Sequence, residues 1–115
     1  MAGEVKQFIA DFGKSMEQMK AQTPDLVSGF GGLFAKVMKD GALDLKSKEL
    51  IAMAVGLAVR CKPCIYMHTQ KALQAGATRE QILEAAGVVV MMGGGPAYTH
   101  VPEVMKALDE LGGEK

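Results

Sequence analysis

Residues 51–59, IAMAVGLAV, form an unbroken apolar run that Arg60 closes. The run has about half the length that a bilayer-crossing helix requires, so it belongs inside a protein core. Read with its flanks, LKSKELIAMAVGLAVR places Leu50, Ile51, Met53, Ala54, Val55, Leu57, Ala58 and Val59 on nearly every side of a helix. A helix that is apolar all round is expected to be buried all round. A chain built about such a helix must fold others over it, and 115 residues leave room for a single domain, 1–115.

The flanking sequence supplies those helices. Residues 3–20 carry Val5, Phe8, Ile9, Phe12, Met16 and Met19 at three- and four-residue steps, one face of a first amphipathic helix. QTPDL offers Thr23 as N-cap and Pro24 at the first helical position, which predicts a second helix from Pro24 to about Lys39 that Gly41 stops. Asp44 is placed to cap the third, apolar helix. A fourth starts at the cysteines of VRCKPCIYMHTQKALQAG, takes Pro63 into its first turn and ends at Gly76, a residue suited to the left-handed position after a helix. Thr78 and Gln81 form a capping-box pattern for a fifth. Its three valines would suit a strand, yet the cap and a length of about fifteen residues favour helix. A last helix over 96–111 should be kinked or divided by Pro102.

The expected fold class is therefore all-α, a single compact bundle of about six helices with the C-x-x-C at the N-terminus of the fourth. Two of these helices are apolar over most of their circumference, more than a bundle this small can cover, which predicts a homo-oligomer. Only GGEK at the C-terminus reads as a flexible tail.

Thirteen basic residues balance thirteen acidic ones without a run of like charge, so the electrostatic footprint of a nucleic-acid binder is missing. GFGGLF and MMGGGPAY lack the Lys-Ser/Thr pair that grips phosphate, and their glycines read as backbone devices. MAGEVKQFIADF mixes acids into an amphipathic rhythm where a secretory leader has a basic start and an apolar stretch. The expectation is a cytoplasmic protein with no membrane segment and no nucleic-acid partner. In that reducing compartment a structural disulfide over so short a loop would contribute little. Two cysteines placed within four residues of each other then point to reactivity or metal binding.

Cys61, Cys64 and His68 fall at i, i+3 and i+7 of the fourth helix, along one stripe. Unpaired N–H groups and the helix dipole favour an anion at the helix start, so Cys64 should ionise more easily than a free thiol. Cysteines three apart can also close a reducible disulfide across the first turn. His68, one turn further on, can accept a proton and orient the thiol. Glu49 stands one residue before Leu50 and the apolar run, where an unpartnered carboxylate would be costly to bury, and His68 is its expected partner.

The stretch KELIAMAVGLAVRCKPCIYMHTQKALQAGATREQILEA resembles the alkylhydroperoxidase D branch of the carboxymuconolactone decarboxylase-like superfamily. The shared pattern is Glu, eleven residues, then Cys-x-x-Cys-x-x-x-His, matched by Glu49, Cys61, Cys64 and His68, and the likeness covers residues 43–92. The resemblance implies an all-α fold, assembly into trimers or hexamers, and thiol peroxidase or disulfide-reductase chemistry with no metal or haem cofactor. It implies that Cys64 attacks the peroxide and becomes a sulfenic acid, that Cys61 is proton donor and resolving thiol, and that His68 and Glu49 relay protons. A small-molecule peroxide is the implied substrate, with dihydrolipoamide or a thioredoxin-like protein as reductant. The best-studied members carry a second histidine just before the second cysteine, where this chain has Pro63. That departure implies a lower peroxidase rate or a disulfide as the physiological substrate.

Two rival readings stand beside this one. The C-x-x-C and His68 supply three zinc ligands, with Glu49 or His100 as a fourth, in a non-catalytic metal-binding or assembly module. A carboxymuconolactone decarboxylase-type enzyme would share the fold and keep its cysteines for packing, although that branch generally lacks the C-x-x-C. Attachment of c-type haem is closed, because Ile65 follows Cys64 where a histidine is needed. His100, Tyr66 and Tyr98 read as structural or interface residues. The nine methionines, Met67, Met91 and Met92 among them, read as gap fillers, with the lining of an apolar peroxide pocket as the alternative.

Overall fold

A computed structural model describes residues 3–112. Six helices of 11 to 19 residues are α1 (Glu4–Gln22), α2 (Pro24–Val37), α3 (Leu45–Ala58), α4 (Lys62–Gln74), α5 (Arg79–Gly93) and α7 (Val101–Leu111), and between the last two lies a four-residue turn of helix, α6 (Gly95–Tyr98). The described residues contain no strand, and none of their helices is long and apolar enough to cross a membrane. Residues 113–115 of the GGEK tail lie outside the described residues.

Most helix ends follow from local chemistry. Asp44 Oδ1 accepts from the Ser47 amide at 2.8 Å and starts α3. Thr78 and Gln81 satisfy each other's amides at 3.0 and 3.1 Å, a complete capping box at the start of α5. Gly76 follows α4 at φ 101°, a conformation that side chains resist.

Three expectations need refinement. Thr23 stands at the N-cap of α2 with Pro24 after it, but its side chain makes no cap bond; its hydroxyl turns back and donates to the Met19 carbonyl at 2.7 Å, serving the end of α1. Helix α2 ends near the expected position, at Val37, ahead of Gly41 rather than at it, and Lys48 Nζ donates to the Val37 carbonyl at 2.8 Å. The C-terminal helix is divided rather than kinked: Thr99 and His100 separate α6 from α7, and Pro102 enters the first turn of α7, where its missing N–H breaks no bond. His100 Nδ1 lies 2.8 Å from the Pro96 carbonyl, which can only accept, so this nitrogen carries the proton and the histidine ties the divide together.

The core is formed by α3, α4, α5 and α7 with α1 laid against them, and Val5, Met53, Leu57, Ile65, Ile82, Val104 and Leu108 are fully buried. Glu110 Oε1 accepts from the Val5 and Lys6 amides at 2.9 and 3.0 Å and Lys106 pairs with Glu4 at 2.8 Å, which fastens the start of α1 to α7. Helix α3 is not buried all round. Ile51 and Val55 are 50% and 55% exposed, and with Val88 and Met92 of α5 they line an open apolar hollow of about 590 Å³. Apolar composition states that a face wants cover; it does not say whether this chain's own helices reach it. Helix α2 buries no residue completely and leaves Leu26, Phe30, Leu33 and Val37 exposed.

The junction of α3 and α4 positions the site. The Cys61 amide bonds the Gly56 carbonyl at 2.9 Å and the Arg60 amide bonds the Leu57 carbonyl at 3.1 Å, the paired closure of a Schellman motif. Arg60 occupies its left-handed position at φ 58°. Glycine there would relieve a clash of about 1 kcal/mol and lose part of that gain to the more flexible unfolded chain. We expect Arg60→Gly to stabilise by about 0.5 kcal/mol, read from denaturant unfolding.

Gly56 lets the two helices touch. A Cβ on it would stand 2.7 Å from the Cys64 Cβ and 3.3 Å from the Cys64 carbonyl carbon, so backbone would have to move. Gly56→Ala should cost about 1–3 kcal/mol in the same measurement.

Candidate active site

Cys61 closes α3 and is also the N-cap of α4, with φ −99° and ψ 102°. Its sulfur accepts the Cys64 amide at 3.3 Å. The capping hydrogen bond expected to favour charge on Cys64 is therefore given to Cys61. The two sulfurs are joined in a disulfide across the first turn, with Cα atoms 5.2 Å apart.

Glu49 reaches the site from α3 and is only 4% exposed. Its Oε1 lies 2.7 Å from His68 Nδ1. A carboxylate only accepts, so Nδ1 carries the proton and Nε2 is left to exchange one. Phe34 of α2 stacks on the His68 ring, centroids 5.9 Å apart and planes within 18°. Lys71, one turn beyond His68, holds its Nζ 4.8 Å from the centroid of the same phenylalanine.

Cys64 and His68 border a cavity of about 260 Å³ whose other walls are Phe12, Met16, Phe30, Phe34, Pro63, Met67 and Lys71. Cys61 is not part of this lining, so the wall presents one cysteine beside one imidazole. Of the methionines singled out in the sequence, Met67 lines this cavity, whereas Met91 and Met92 are 72% and 78% exposed elsewhere. The larger hollow between α3 and α5 has no titratable side chain in its walls and cannot support acid–base chemistry.

Phe12 was read only as part of the apolar face of the first helix, and Phe30, Phe34 and Lys71 were not singled out in the sequence. Phe30 and Phe34 stand four apart on α2, and Lys71 continues the Cys64–His68 stripe by three, which were the signals on offer. Tyr66 packs edge-on against Phe8 with centroids 5.4 Å apart. Burial first, and then the charge of Glu103, push its phenol pKa up. Tyr66 is not among the residues that line the cavity, and His100 is engaged at Pro96, so neither joins the cysteines. Among the described residues no three His, Cys, Asp or Glu side chains group as a metal site.

This arrangement sits on a fold with known kin. Residues 24–113 match the carboxymuconolactone decarboxylase family, and the chain belongs to that family. An apo carboxymuconolactone decarboxylase family protein from Legionella pneumophila superposes with TM-score 0.90 at 39% identity, covering 94% of this chain and 96% of that one. A family member from Thermotoga maritima, suggested to be involved in antioxidative response, superposes with TM-score 0.81 at 30% identity, covering 91% and 89% of the two chains. Uncharacterized protein 4 of the cox locus of Paracoccus denitrificans is 44% identical over 84 residues, 73% of this chain and 76% of its own length.

Proposed function

We propose that the protein is a thiol peroxidase or disulfide oxidoreductase of the alkylhydroperoxidase D-like branch of its family. The observation that carries this reading is a closed Cys61–Cys64 pair beside a histidine held by a buried carboxylate, at the wall of an apolar cavity.

In the reduced protein His68 Nε2 takes the Cys64 proton, and Glu49 stabilises the resulting imidazolium. The thiolate attacks the terminal oxygen of a hydroperoxide; an S–O bond forms, the O–O bond breaks, and the alkoxide leaves as alcohol with the proton from His68. The Cys61 sulfur, steadied by the Cys64 amide, then attacks the sulfenic acid. The S–S bond forms and the hydroxyl departs as water with the Cys61 proton. The peroxide gains two electrons and the cysteine pair loses two. An external dithiol such as dihydrolipoamide, or a thioredoxin-like protein, restores the pair by exchange.

Pro63 contributes an apolar wall where a second relay histidine would stand, so turnover rests on His68 alone. Recycling by dithiols fits a reducing compartment, the cytoplasm. The proposal includes a homo-oligomer, a trimer or hexamer, that covers the exposed faces of α3 and α5, testable by sedimentation. The chemistry is tested by hydroperoxide consumption coupled to a dithiol. Equal consumption by wild type, Cys64→Ser and Cys61→Ser would overturn it.

A further inference from the structure

Beyond Cys64 and His68 the cavity wall is apolar except for one cation, Lys71, which pairs with no acid among the described residues. The ion pairs found among the described residues are His68–Glu49, Arg79–Asp109 and Lys106–Glu4, and Lys71 belongs to none of them. It is half-buried, with its Nζ over the Phe34 ring. A lysine held in such a wall loses hydration and side-chain freedom, which a bound anion would offset.

Lys71 also borders a second hollow of about 540 Å³ between α1 and α2, and the two hollows share Met16, Phe30, Phe34 and Lys71. The inner one, about 260 Å³, falls below the usual size of a ligand site, about 300–1,000 Å³, while the outer one falls within it. Together they form a trough with a reactive sulfur at one end and a cation two helical turns along. Seven residues of α4 separate Cys64 from Lys71, roughly 10 Å along the axis.

Resting on the thiol peroxidase reading, we infer that the substrate is an amphipathic hydroperoxide with a carboxylate, of the long-chain fatty-acid class, and that Lys71 is the residue that selects it. The peroxide oxygens meet Cys64, the carboxylate meets Lys71 Nζ, and the hydrocarbon lies on Phe30, Phe34 and Met16. Small hydroperoxides reach the sulfur without using the cation. The electron balance is that of the proposed reaction: hydroperoxide to alcohol and water, cysteine pair to disulfide, with a dithiol as reductant.

The test compares kcat/KM for linoleate hydroperoxide, its methyl ester and tert-butyl hydroperoxide in wild type, Lys71→Met and Lys71→Arg, below micellar concentrations. The acid should be preferred over the ester by about tenfold in wild type, the preference should fall to near unity in Lys71→Met, and Lys71→Arg should restore most of it. If Cys64-dependent turnover of tert-butyl hydroperoxide is present but acid and ester are handled alike, the inference falls and the peroxidase reading stands. A second copy of the chain seated in the trough would give that same result. No turnover of any hydroperoxide overturns both.

Discussion

Cys64→Ser is expected to lower hydroperoxide turnover by at least about 10³-fold, because a serine hydroxyl has neither the acidity nor the nucleophilicity of a thiol toward oxygen. Cys61→Ser should behave differently. Cys64 can still take the peroxide oxygen, but the sulfur that displaces the hydroxyl is gone. One equivalent of peroxide per chain should disappear in a burst, after which consumption stalls and a dimedone-reactive sulfenic acid accumulates. The contrast follows from placement: Cys64 borders the cavity with His68, while Cys61 is turned into the helix cap. Rapid-mixing kinetics with mass spectrometry read both outcomes. A burst seen in Cys64→Ser and absent in Cys61→Ser would reverse the assignment of the two roles.

The second large effect is expected at Glu49. Its carboxylate is almost wholly buried and its one hydrogen-bond partner among the described residues is His68, 2.7 Å away. Glu49→Gln keeps an oxygen to accept the Nδ1 proton, so the ring stays in place, but the negative charge that favours an imidazolium is lost. Turnover should fall by about 10²-fold while the fold is retained. His68→Gln should cost at least as much, and the double variant little more than the worse single one, because the two groups act as a unit. Losses that simply multiply in the double variant would mean that Glu49 supports the protein by some route other than the histidine.

What the sequence discloses divides along the distance over which each feature is decided. The start of α3 at Asp44, the capping box at Thr78 and Gln81, the glycine turn at Gly76 and the placement of the cysteines at the start of α4 depend on a few adjacent residues, and each is as read. The Glu49–His68 bond spans 19 residues, yet it was legible because a carboxylate beside an apolar run needs a partner and the family pattern supplied one. That some apolar helix surface would stay uncovered was legible; that it falls at Ile51 and Val55 was not, since cover is decided by which helices arrive. The cavity wall was hidden for the same reason. In the sequence Phe30 and Phe34 are two phenylalanines four apart, and only the fold lays α2 over His68. Thr23 shows the limit of local reasoning, because one hydroxyl could serve either of two adjoining helices and took the earlier.

The contact between Gly56 and Cys64 makes α3 and α4 a clasp that carries the carboxylate, the imidazole and both sulfurs. The aromatic walls come instead from α1 and α2. The carboxylate, imidazole and sulfurs are thus encoded in one stretch of the chain, together with Lys71, and the aromatic walls in another. Substitutions in α1 and α2 can therefore reshape the aromatic wall of the cavity while the α3–α4 clasp is inherited intact.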